Sequence, residues 1–239
     1  AASDVYKRQF VNIARGCLLA VANLGYFLGL AALTLADAMS LFFVAPLLIT
    51  ALSVPFLGER VGFRRWCAIA VGMGGVLVML RPGETTFQLA ALLPVLGALA
   101  YAGMQTLARA VGTADRASTM ALYLQVTFLI IASGIGLSIG DGRYAGTGDP
   151  SWDFLFRAWV WPNAADLAIM VLCGVCIGFG GYLITAAYRI GPASMVAPFE
   201  YTALPWGVFL AFVLWREVPG GISVLGMTLI VGSGLYILH

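Results

Sequence analysis

The chain has 239 residues, of which 61% are hydrophobic and only 10% are charged. Soluble domains carry about 25% charged residues and bury at most about three quarters of the surface of the unfolded chain, so a soluble fold cannot hide this much apolar surface. The composition therefore excludes a cytosolic enzyme and a disordered chain and indicates an all-α membrane protein. The formal net charge of only +2 excludes the basic surface of a nucleic-acid binder.

Eight apolar segments follow one another along the chain, and most approach the roughly 20 residues that a helix needs to cross a bilayer. They are too long and too uniformly apolar for the strands of an outer-membrane barrel. The sequence therefore predicts a polytopic helical bundle of eight transmembrane helices. In chain order the segments are Asn12–Leu33, Ala38–Leu57, Trp66–Leu80, Phe87–Ala110, Thr119–Gly140, Leu167–Arg189, Ala193–Trp215 and Ile222–Leu238.

The links between the segments are short, with one exception. Residues 141–166 form a long link with five large aromatic side chains, which favour the boundary between membrane and water. We expect this link to lie on the extracytoplasmic surface. Its aromatic residues are Trp152, Phe154, Phe156, Trp159 and Trp161. Residues 1–11, which lack the pattern of a signal peptide, are interpreted as a non-native or fragment edge.

The distribution of Lys and Arg predicts the orientation, because cytoplasmic links are enriched in basic residues. With the N-terminus inside, nine basic residues fall on the cytoplasmic side and four outside. The inner nine are Lys7, Arg8, Arg15, Arg60, Arg64, Arg65, Arg109, Arg116 and Arg189, and the outer four are Arg81, Arg143, Arg157 and Arg216. The sequence thus predicts a multi-pass protein of the inner (plasma) membrane with a cytoplasmic C-terminus.

Two parts of the sequence resemble each other. At an offset of 158 positions Glu59 and Gly74 meet Glu217 and Gly232, and at an offset of 156 the first segment aligns with the sixth. The first three segments thus repeat as the last three. Because the second unit has five segments, we expect a parent of ten helices in two halves of opposite orientation, an arrangement typical of secondary transporters. The predicted units are an incomplete first repeat over residues 12–82 and a second repeat over residues 83–239.

Two stretches carry a resemblance to a known family. Residues 36–60, A-D-A-M-S-L-F-F-V-A-P-L-L-I-T-A-L-S-V-P-F-L-G-E-R, resemble the fourth helix of EamA-type drug/metabolite transporters. Residues 193–219, A-S-M-V-A-P-F-E-Y-T-A-L-P-W-G-V-F-L-A-F-V-L-W-R-E-V-P, resemble the ninth. On this resemblance the eight segments are helices three to ten of a ten-helix family, without the first two. It implies carrier-mediated movement of small organic metabolites, with no ATPase domain.

Glu200 is the most distinctive candidate for a substrate site. It lies seven residues into the seventh segment, roughly 10 Å from the predicted cytoplasmic end at 1.5 Å per residue. A carboxylate at that depth usually faces a cavity or a partner. We expect contact with substrate or with a transported proton, and the alternative is a structural bond to a helix end or to Arg189. The repeat offset pairs Glu200 with Phe42.

Prolines near these positions predict irregular helices. Pro198 and Pro205 flank Glu200, and Pro46 lies in the second segment. A proline removes one backbone donor and clashes with the preceding turn, so each favours a bend that lines a cavity or is simply packed.

Other candidates are polar or aromatic side chains inside apolar spans. In a bilayer such groups should face inward, where they line a substrate path or bond between helices. Trp206 is a candidate to stack on a planar or cationic substrate, with packing as the alternative. The remaining candidates are Tyr26, Tyr101, Gln105, Tyr182, Arg189 and Tyr201.

The sequence predicts neither a metal site nor a cofactor. The only histidine is His239, and the four cysteines lie in apolar stretches, so the usual zinc ligands are missing. It contains no Walker A sequence. Glu59 and Arg60 at the end of the second segment are interpreted as boundary charges, with a gating pair as the alternative.

The sequence therefore predicts a secondary transporter, not an enzyme, that moves a small organic metabolite or drug-like solute by alternating access. Its expected partners are that small-molecule substrate and the lipid bilayer, with no nucleic acid. A proton coupled through Glu200 is a further hypothesis. A non-transporting membrane scaffold or assembly protein and an integral membrane enzyme are the alternatives.

Overall fold

The structure is a computed structural model that describes residues 2–80, 89–216 and 218–236, with the backbone alone for residues 2–8, 89 and 113. Every regular element in these residues is helical, which confirms the all-α prediction. The α-helices are α1 (Ala2–Leu30), α2 (Leu35–Phe42), α3 (Ala45–Leu57), α4 (Phe63–Leu80), α5 (Leu92–Val111), α6 (Ala117–Ile139), α7 (Pro150–Phe156), α8 (Ala164–Ile190), α9 (Ala193–Val196), α10 (Ala203–Trp215) and α11 (Gly221–Tyr236). Three 3-10 segments add Leu89–Ala91, Gly112–Ala114 and Ala197–Thr202.

Six of the eight predicted spans are long and apolar enough, within the described residues, to cross a membrane. They are Gln9–Leu30, Leu35–Leu57, Phe63–Leu80, Ala117–Ile139, Ala164–Ile190 and Ala193–Trp215. The other two are α5 and α11. The 20-residue α5 includes Tyr101, Gln105 and Arg109, which lower its hydropathy, and α11 has only 16 residues. The chain is a polytopic helical membrane protein.

Several helix ends differ from the predicted segments. The helix α1 begins at Ala2 and so includes most of the predicted edge over residues 1–11, because residues 2–11 contain neither Gly nor Pro. The helix α8 begins at Ala164 because the Asn163 side chain accepts a hydrogen bond from the Asp166 backbone N–H at 2.8 Å. The predicted positions Arg81, Phe87, Glu217, Leu238 and His239 lie outside the described residues.

The helices α1 and α5 cross at a point where glycine is required on both sides. A Cβ atom at Gly25 would lie 2.7 Å from the Leu93 carbonyl oxygen, and one at Gly97 would lie 2.8 Å from the Ala22 carbonyl oxygen. Such small-residue crossings let membrane helices approach backbone to backbone. The Gly174-x3-Gly178 pair of α8 makes no comparable approach, since a Cβ at either position would meet no described atom within 4 Å.

The pair α4 and α11 packs through a second set of small residues. A Cβ atom at Gly72 would collide with Leu47 and Ser233, and one at Gly75 would lie 3.1 Å from Ile230. At the offset of 158, Gly72 corresponds to Ile230 and Gly75 to Ser233. The contacts therefore run crosswise between equivalent positions of the two predicted units.

The buried core lies around α3 and α5. One cluster joins α2, α3, α4, α5, α11 and the 3-10 segment Ala197–Thr202, and includes Leu41, Leu47, Val76, Ala98, Tyr201 and Ile230. A second joins α3, α5, α6, α8 and α9, and includes Ile49, Ala102, Met120, Tyr188 and Ala193. The buried residues of α8 are Thr185 and Tyr188, so this long helix touches the bundle at a narrow stripe. Its other large apolar side chains are exposed, as suits a surface facing lipid.

The long link over residues 141–166 contains one short helix, α7. Ser151 at the start of α7 donates a hydrogen bond to the Leu28 carbonyl at 2.7 Å, which fixes the link to the end of α1. In the preceding loop, the Thr147 hydroxyl and backbone N–H donate to Asp153 and hold the pKa of that carboxyl below its ordinary value. Trp161 is 98% exposed on this link.

Candidate functional site

Two spans of the bundle are interrupted in their first half. Between α2 and α3 the regular helix breaks at Phe43 and Val44, and Pro46 lies in the first turn after the break. In the other span, the 3-10 segment Ala197–Thr202 separates α9 from α10. A proline is tolerated in a first turn because its missing N–H would be unpaired there in any case.

The prolines differ in their effect on the backbone. Pro198 lies at the start of the 3-10 segment, and Pro205 lies in the first turn of α10. Pro55, by contrast, is accommodated inside α3, which continues to Leu57.

The two interrupted spans match in detail at the 158-residue offset. The helices α3 and α10 begin at Ala45 and Ala203 and end on Gly58 and Arg216, both in the left-handed conformation. The backbone N–H of Gly58 bonds to the carbonyls of Ser53 and Val54, and that of Arg216 bonds to those of Ala211 and Phe212. The two carbonyls that accept at the end of α10 thus lie 158 positions after the two that accept at the end of α3.

Glu200 lies in the 3-10 segment and accepts hydrogen bonds from two tyrosine hydroxyls. Its Oε1 atom accepts a hydrogen bond of 2.6 Å from the Tyr188 hydroxyl and one of 3.2 Å from the Tyr101 hydroxyl. Gln105, one turn along α5, donates from Nε2 to the Tyr101 hydroxyl oxygen at 2.8 Å. Hydrogen bonds to an ionised acceptor are stronger than neutral ones, so this cluster fixes the carboxylate in place.

A cavity of about 560 Å³ opens beside Glu200. Its walls come from α2, α3, α5, α8, α9, α10 and the 3-10 segment, and four of the lining side chains are aromatic. The lining residues are Phe42, Phe43, Ala45, Pro46, Tyr101, Leu183, Ile184, Ala187, Val196, Phe199, Glu200, Thr202 and Ala203. The size suits a small organic molecule, and an apolar cavity with a few polar groups is the usual form of a ligand site.

The electrostatics of this cavity are those of a single acid. Among the described residues that line it, Glu200 is the one ionisable carboxyl and none is basic. Both tyrosine hydroxyls bond to Oε1, and no described residue donates to Oε2. The cavity therefore offers one carboxylate oxygen to an N–H or O–H donor between aromatic faces that stack on flat rings.

The structure brings several of the predicted residues together. Tyr101, Gln105 and Glu200 form the hydrogen-bonded cluster, and Tyr26 reaches it through Phe42. The ring centroids are 5.3 Å apart for Tyr26 and Phe42 and 5.6 Å apart for Phe42 and Tyr101.

Tyr201 follows Glu200 but points elsewhere. Its ring packs on Phe43 with centroids 6.1 Å apart and lies against Gly234 of α11, where a Cβ atom would collide with it. Its buried hydroxyl has no hydrogen-bond partner among the described residues.

Three predicted residues lie away from the cluster. Tyr182 is 41% exposed and Trp206 is 69% exposed, and neither lines the cavity. Arg189 donates from Nε to the Asp115 carbonyl oxygen at 2.6 Å. The observed hydrogen-bond partners of Glu200 are Tyr188 and Tyr101, in place of the Arg189 or helix-end alternative.

Tyr188 is the residue that the sequence argument missed. The repeat drew attention to Tyr182, which aligns with Tyr26, but the buried stripe of α8 runs through Thr185 and Tyr188 instead. The available signal was the spacing of these two polar residues by three positions, which places them on one helix face.

Glu59 makes a contact that its position in the sequence does not reveal. Its Oε1 accepts from the Ala193 backbone N–H at 2.9 Å, and its Oε2 accepts from the Ser194 hydroxyl at 2.6 Å and the Ser194 N–H at 3.2 Å. Burial alone would raise the pKa of Glu59, but these hydrogen bonds outweigh it and hold the pKa below its ordinary value.

Among the described residues, no three His, Cys, Asp or Glu side chains are grouped closely enough to hold a metal ion. The four cysteines, Cys17, Cys67, Cys173 and Cys176, are free and exposed.

Comparison with known families and proteins places the chain among transporters. Residues 8–81 match the EamA-like transporter family. The riboflavin transporter of Rhizobium johnstonii is 30% identical over 95% of this chain and 70% of its own length. The riboflavin transporter of Vibrio cholerae is 30% identical over 83% of this chain and 61% of its own length.

Two further similarities extend the comparison. The S-adenosylmethionine uptake transporter of Rickettsia prowazekii is 23% identical over 97% of this chain and 72% of its own length. A protein of known crystal structure superimposes with a TM-score of 0.61 over 96% of this chain and 85% of that chain, at 18% identity, which shows a shared fold.

Proposed function

Since the chain belongs to the EamA-like transporter family of the drug/metabolite transporter superfamily, we propose a substrate class for it. The substrate is a small, flat heteroaromatic metabolite that moves through the cavity beside Glu200. The observation that carries the proposal is the position of Glu200. One carboxylate oxygen is held by Tyr101 and Tyr188 while the other accepts from no described residue, and Glu200 lines a cavity with aromatic walls. The geometry suits a ring that stacks on Phe42 or Phe199 and donates a hydrogen bond to Glu200.

The named substrates of the relatives support this class. Two relatives are riboflavin transporters and another is an S-adenosylmethionine uptake transporter. Both compounds contain a flat nitrogen heterocycle. A cavity of about 560 Å³ is large enough for such a ring system, and its four aromatic side chains provide the stacking surfaces.

We propose alternating access between two inverted repeats as the mechanism. The matching ends of α3 and α10 and the crosswise contacts of α4 and α11 support a relation between residues 12–82 and the end of the unit 83–239. Both interrupted spans border the cavity, and inverted repeats with broken helices at the binding site are typical of secondary transporters. Rocking of one unit against the other would expose Glu200 to each side in turn.

We propose further that Glu200 carries the coupling proton. A substrate donor and a proton would compete for the same carboxylate, and the cavity holds no described basic residue to neutralise it. Competition of this kind links a proton gradient to substrate movement.

We propose an inner-membrane location with both termini in the cytoplasm, which follows from the excess of Lys and Arg on that side. A reporter fused after residue 239 tests it. Activity of a cytoplasmic reporter agrees with this orientation, whereas activity of a periplasmic reporter would reverse it.

Counterflow in proteoliposomes tests the transport function. Vesicles loaded with unlabelled riboflavin or adenosyl compounds should accumulate the labelled compound transiently when they contain the protein, and empty vesicles should not. The same assay separates a transporter from a scaffold or an enzyme, neither of which exchanges solute across a bilayer. Absence of counterflow with every flat heteroaromatic compound offered would contradict the proposal.

Glu200→Gln tests the proton step. The amide keeps a hydrogen-bond acceptor but cannot ionise, so uptake driven by a pH gradient should be lost. Exchange of labelled for unlabelled substrate needs no net proton movement and should persist. Equal gradient-driven uptake by the wild type and the variant would show that Glu200 does not carry the coupling proton.

A further inference from the structure

The contact between Glu59 and the start of α9 joins the two interrupted spans. Glu59 follows α3, and its two oxygens receive three hydrogen bonds from Ala193 and Ser194, more than 130 positions away along the chain. Pro192 precedes α9 and has no side-chain oxygen to cap it. The carboxylate therefore pairs backbone N–H groups of the first turn that would otherwise be unsatisfied, and its charge suits that end of the helix.

This contact is built into the fold rather than made by chance at the surface. Ala193 is completely buried and Ser194 is 6% exposed, so their N–H groups have no free access to water. Gly58, with a φ of +68°, turns the chain sharply after α3 and so places Glu59 next to these N–H groups. Arg60, the neighbour, makes no hydrogen bond or ion pair with the described residues, so Glu59 bonds to the other interrupted span and not to Arg60, the pairing that the sequence left as an alternative.

The same contact fixes the segment that carries Glu200. From Ala193 the chain runs through four helical residues and then enters the 3-10 segment, in which Glu200 is the fourth residue. Short 3-10 stretches have weaker internal hydrogen bonding than an α-helix and so depend on contacts at their ends. The helix α9 that leads into this segment is held by Glu59, and the segment itself is held at Glu200 by Tyr101 and Tyr188.

We infer that Glu59 is a positioning residue and latch for transport: its bond to Ala193 and Ser194 holds α9 against α3, sets Glu200 in the cavity and closes the bundle on that side. The inference rests on the proposed transport function. Passage of a solute to the side on which Glu59 lies requires α3 and α9 to separate, and that separation breaks this bond. Glu59 touches no substrate, because it lies outside the cavity lining.

Accessibility of a single cysteine in the cavity tests the latch. The four native cysteines are replaced by serine and Ala187→Cys is introduced as the reporter, since Ala187 lines the cavity from α8 and lies on neither interrupted span. A membrane-impermeant thiol reagent is added to the Glu59 side or to the opposite side of sealed vesicles. Glu59→Gln should raise the labelling rate from its own side by about tenfold, the shift expected when a hydrogen bond to a charged group is lost. The rate from the opposite side should stay the same or fall.

Two further variants serve as partner and control. Ser194→Ala removes one of the three hydrogen bonds and should raise the same rate by a smaller factor, and the two changes together should raise it by less than the product of their single effects. Arg60→Gln changes a charge in the same loop without touching α9 and should label like the parent. Equal labelling of the Glu59→Gln and Arg60→Gln proteins, or a rise of equal size from both sides, would overturn the latch.

The assay separates this inference from the proposed function. Labelling needs no substrate, so an unchanged rate disproves the latch whatever the counterflow result, and a failed counterflow leaves the labelling result standing. Melting temperatures of the variants in detergent check folding, and Ser194→Ala keeps the test open if Glu59→Gln fails to fold.

Discussion

Phe43 and Tyr201 lie 158 positions apart in the chain and pack ring against ring, with centroids 6.1 Å apart. Their separation is the offset of the predicted repeat. In a pair of units related by a two-fold axis, a residue touches its own equivalent only next to that axis. Phe42 and Glu200, one position earlier, both line the cavity. The cavity thus lies next to the two-fold axis that would relate the two predicted units, as expected for a transporter whose binding site lies between its repeats.

The first prediction concerns the contact of Tyr201 with α11. Gly234→Ala places a Cβ atom in collision with the Tyr201 side chain and should destabilise the protein by about 1–3 kcal/mol, the usual effect of overpacking. Thermal unfolding in detergent measures it. Gly232→Ala, on the same helix, meets no described atom within 4 Å and should be neutral or slightly stabilising. Equal melting temperatures for the two variants would contradict this packing.

The second prediction concerns the hydroxyl of Tyr188. Tyr188→Phe removes the 2.6 Å hydrogen bond to Glu200 and should weaken substrate binding by about tenfold, since hydrogen bonds to charged groups are strong. Equilibrium binding to the purified protein measures the change. Tyr182→Phe makes the same chemical change on the same helix at a position that is 41% exposed, and its affinity should match the wild type. An effect of equal size at both positions would show that the Tyr188 hydroxyl has no specific role in substrate binding.

The third prediction concerns the crossing of α1 and α5. Gly25→Ala would place a Cβ atom against the backbone of α5 and force the helices apart, so the protein should lose about 1–3 kcal/mol of stability. The matched control is Gly178→Ala in α8, which faces open space. Unfolding in detergent ranks the variants, and a Gly25→Ala protein as stable as the wild type would mean that α1 and α5 do not approach this closely.

The fourth prediction is a pH dependence that comes from Glu59. Because its hydrogen bonds hold its pKa below the ordinary value of 4.5, the carboxylate stabilises the fold at pH values above 4.5. This contribution is lost as the pH falls through the lowered pKa. The melting temperature of the wild type should therefore exceed that of Glu59→Gln at neutral pH, and the gap should close on acidification. A gap that persists far below pH 4.5 would trace the stabilisation to something other than the carboxylate.

Much of the fold could be predicted because apolar length is a local property of the chain. The spans follow from runs of hydrophobic residues, and Glu200 stands out since a carboxylate is rare in such a run. Glu59 could not be understood in this way, because its partners, the backbone N–H groups of Ala193 and Ser194 and the Ser194 hydroxyl, lie more than 130 positions away and no sequence pattern links them to it. Tyr188 was missed for a related reason: the rotation of α8 about its axis decides which tyrosine meets Glu200, and the nearly uniform apolar surface of α8 does not reveal that rotation.

The residues that end α3 and α10 share a left-handed backbone but differ in kind. Glycine adopts this conformation without steric penalty, whereas arginine at a φ of +57° bears a penalty of about 1–2 kcal/mol. The Arg216 guanidinium lies over the Phe212 ring at 5.6 Å, which offsets part of it. Gly58 in the turn after α3 consequently has a wide range of accessible φ values, while Arg216 in the turn after α10 has a narrow one. The two ends of the bundle are therefore unequally compliant, even though their hydrogen bonds correspond one for one.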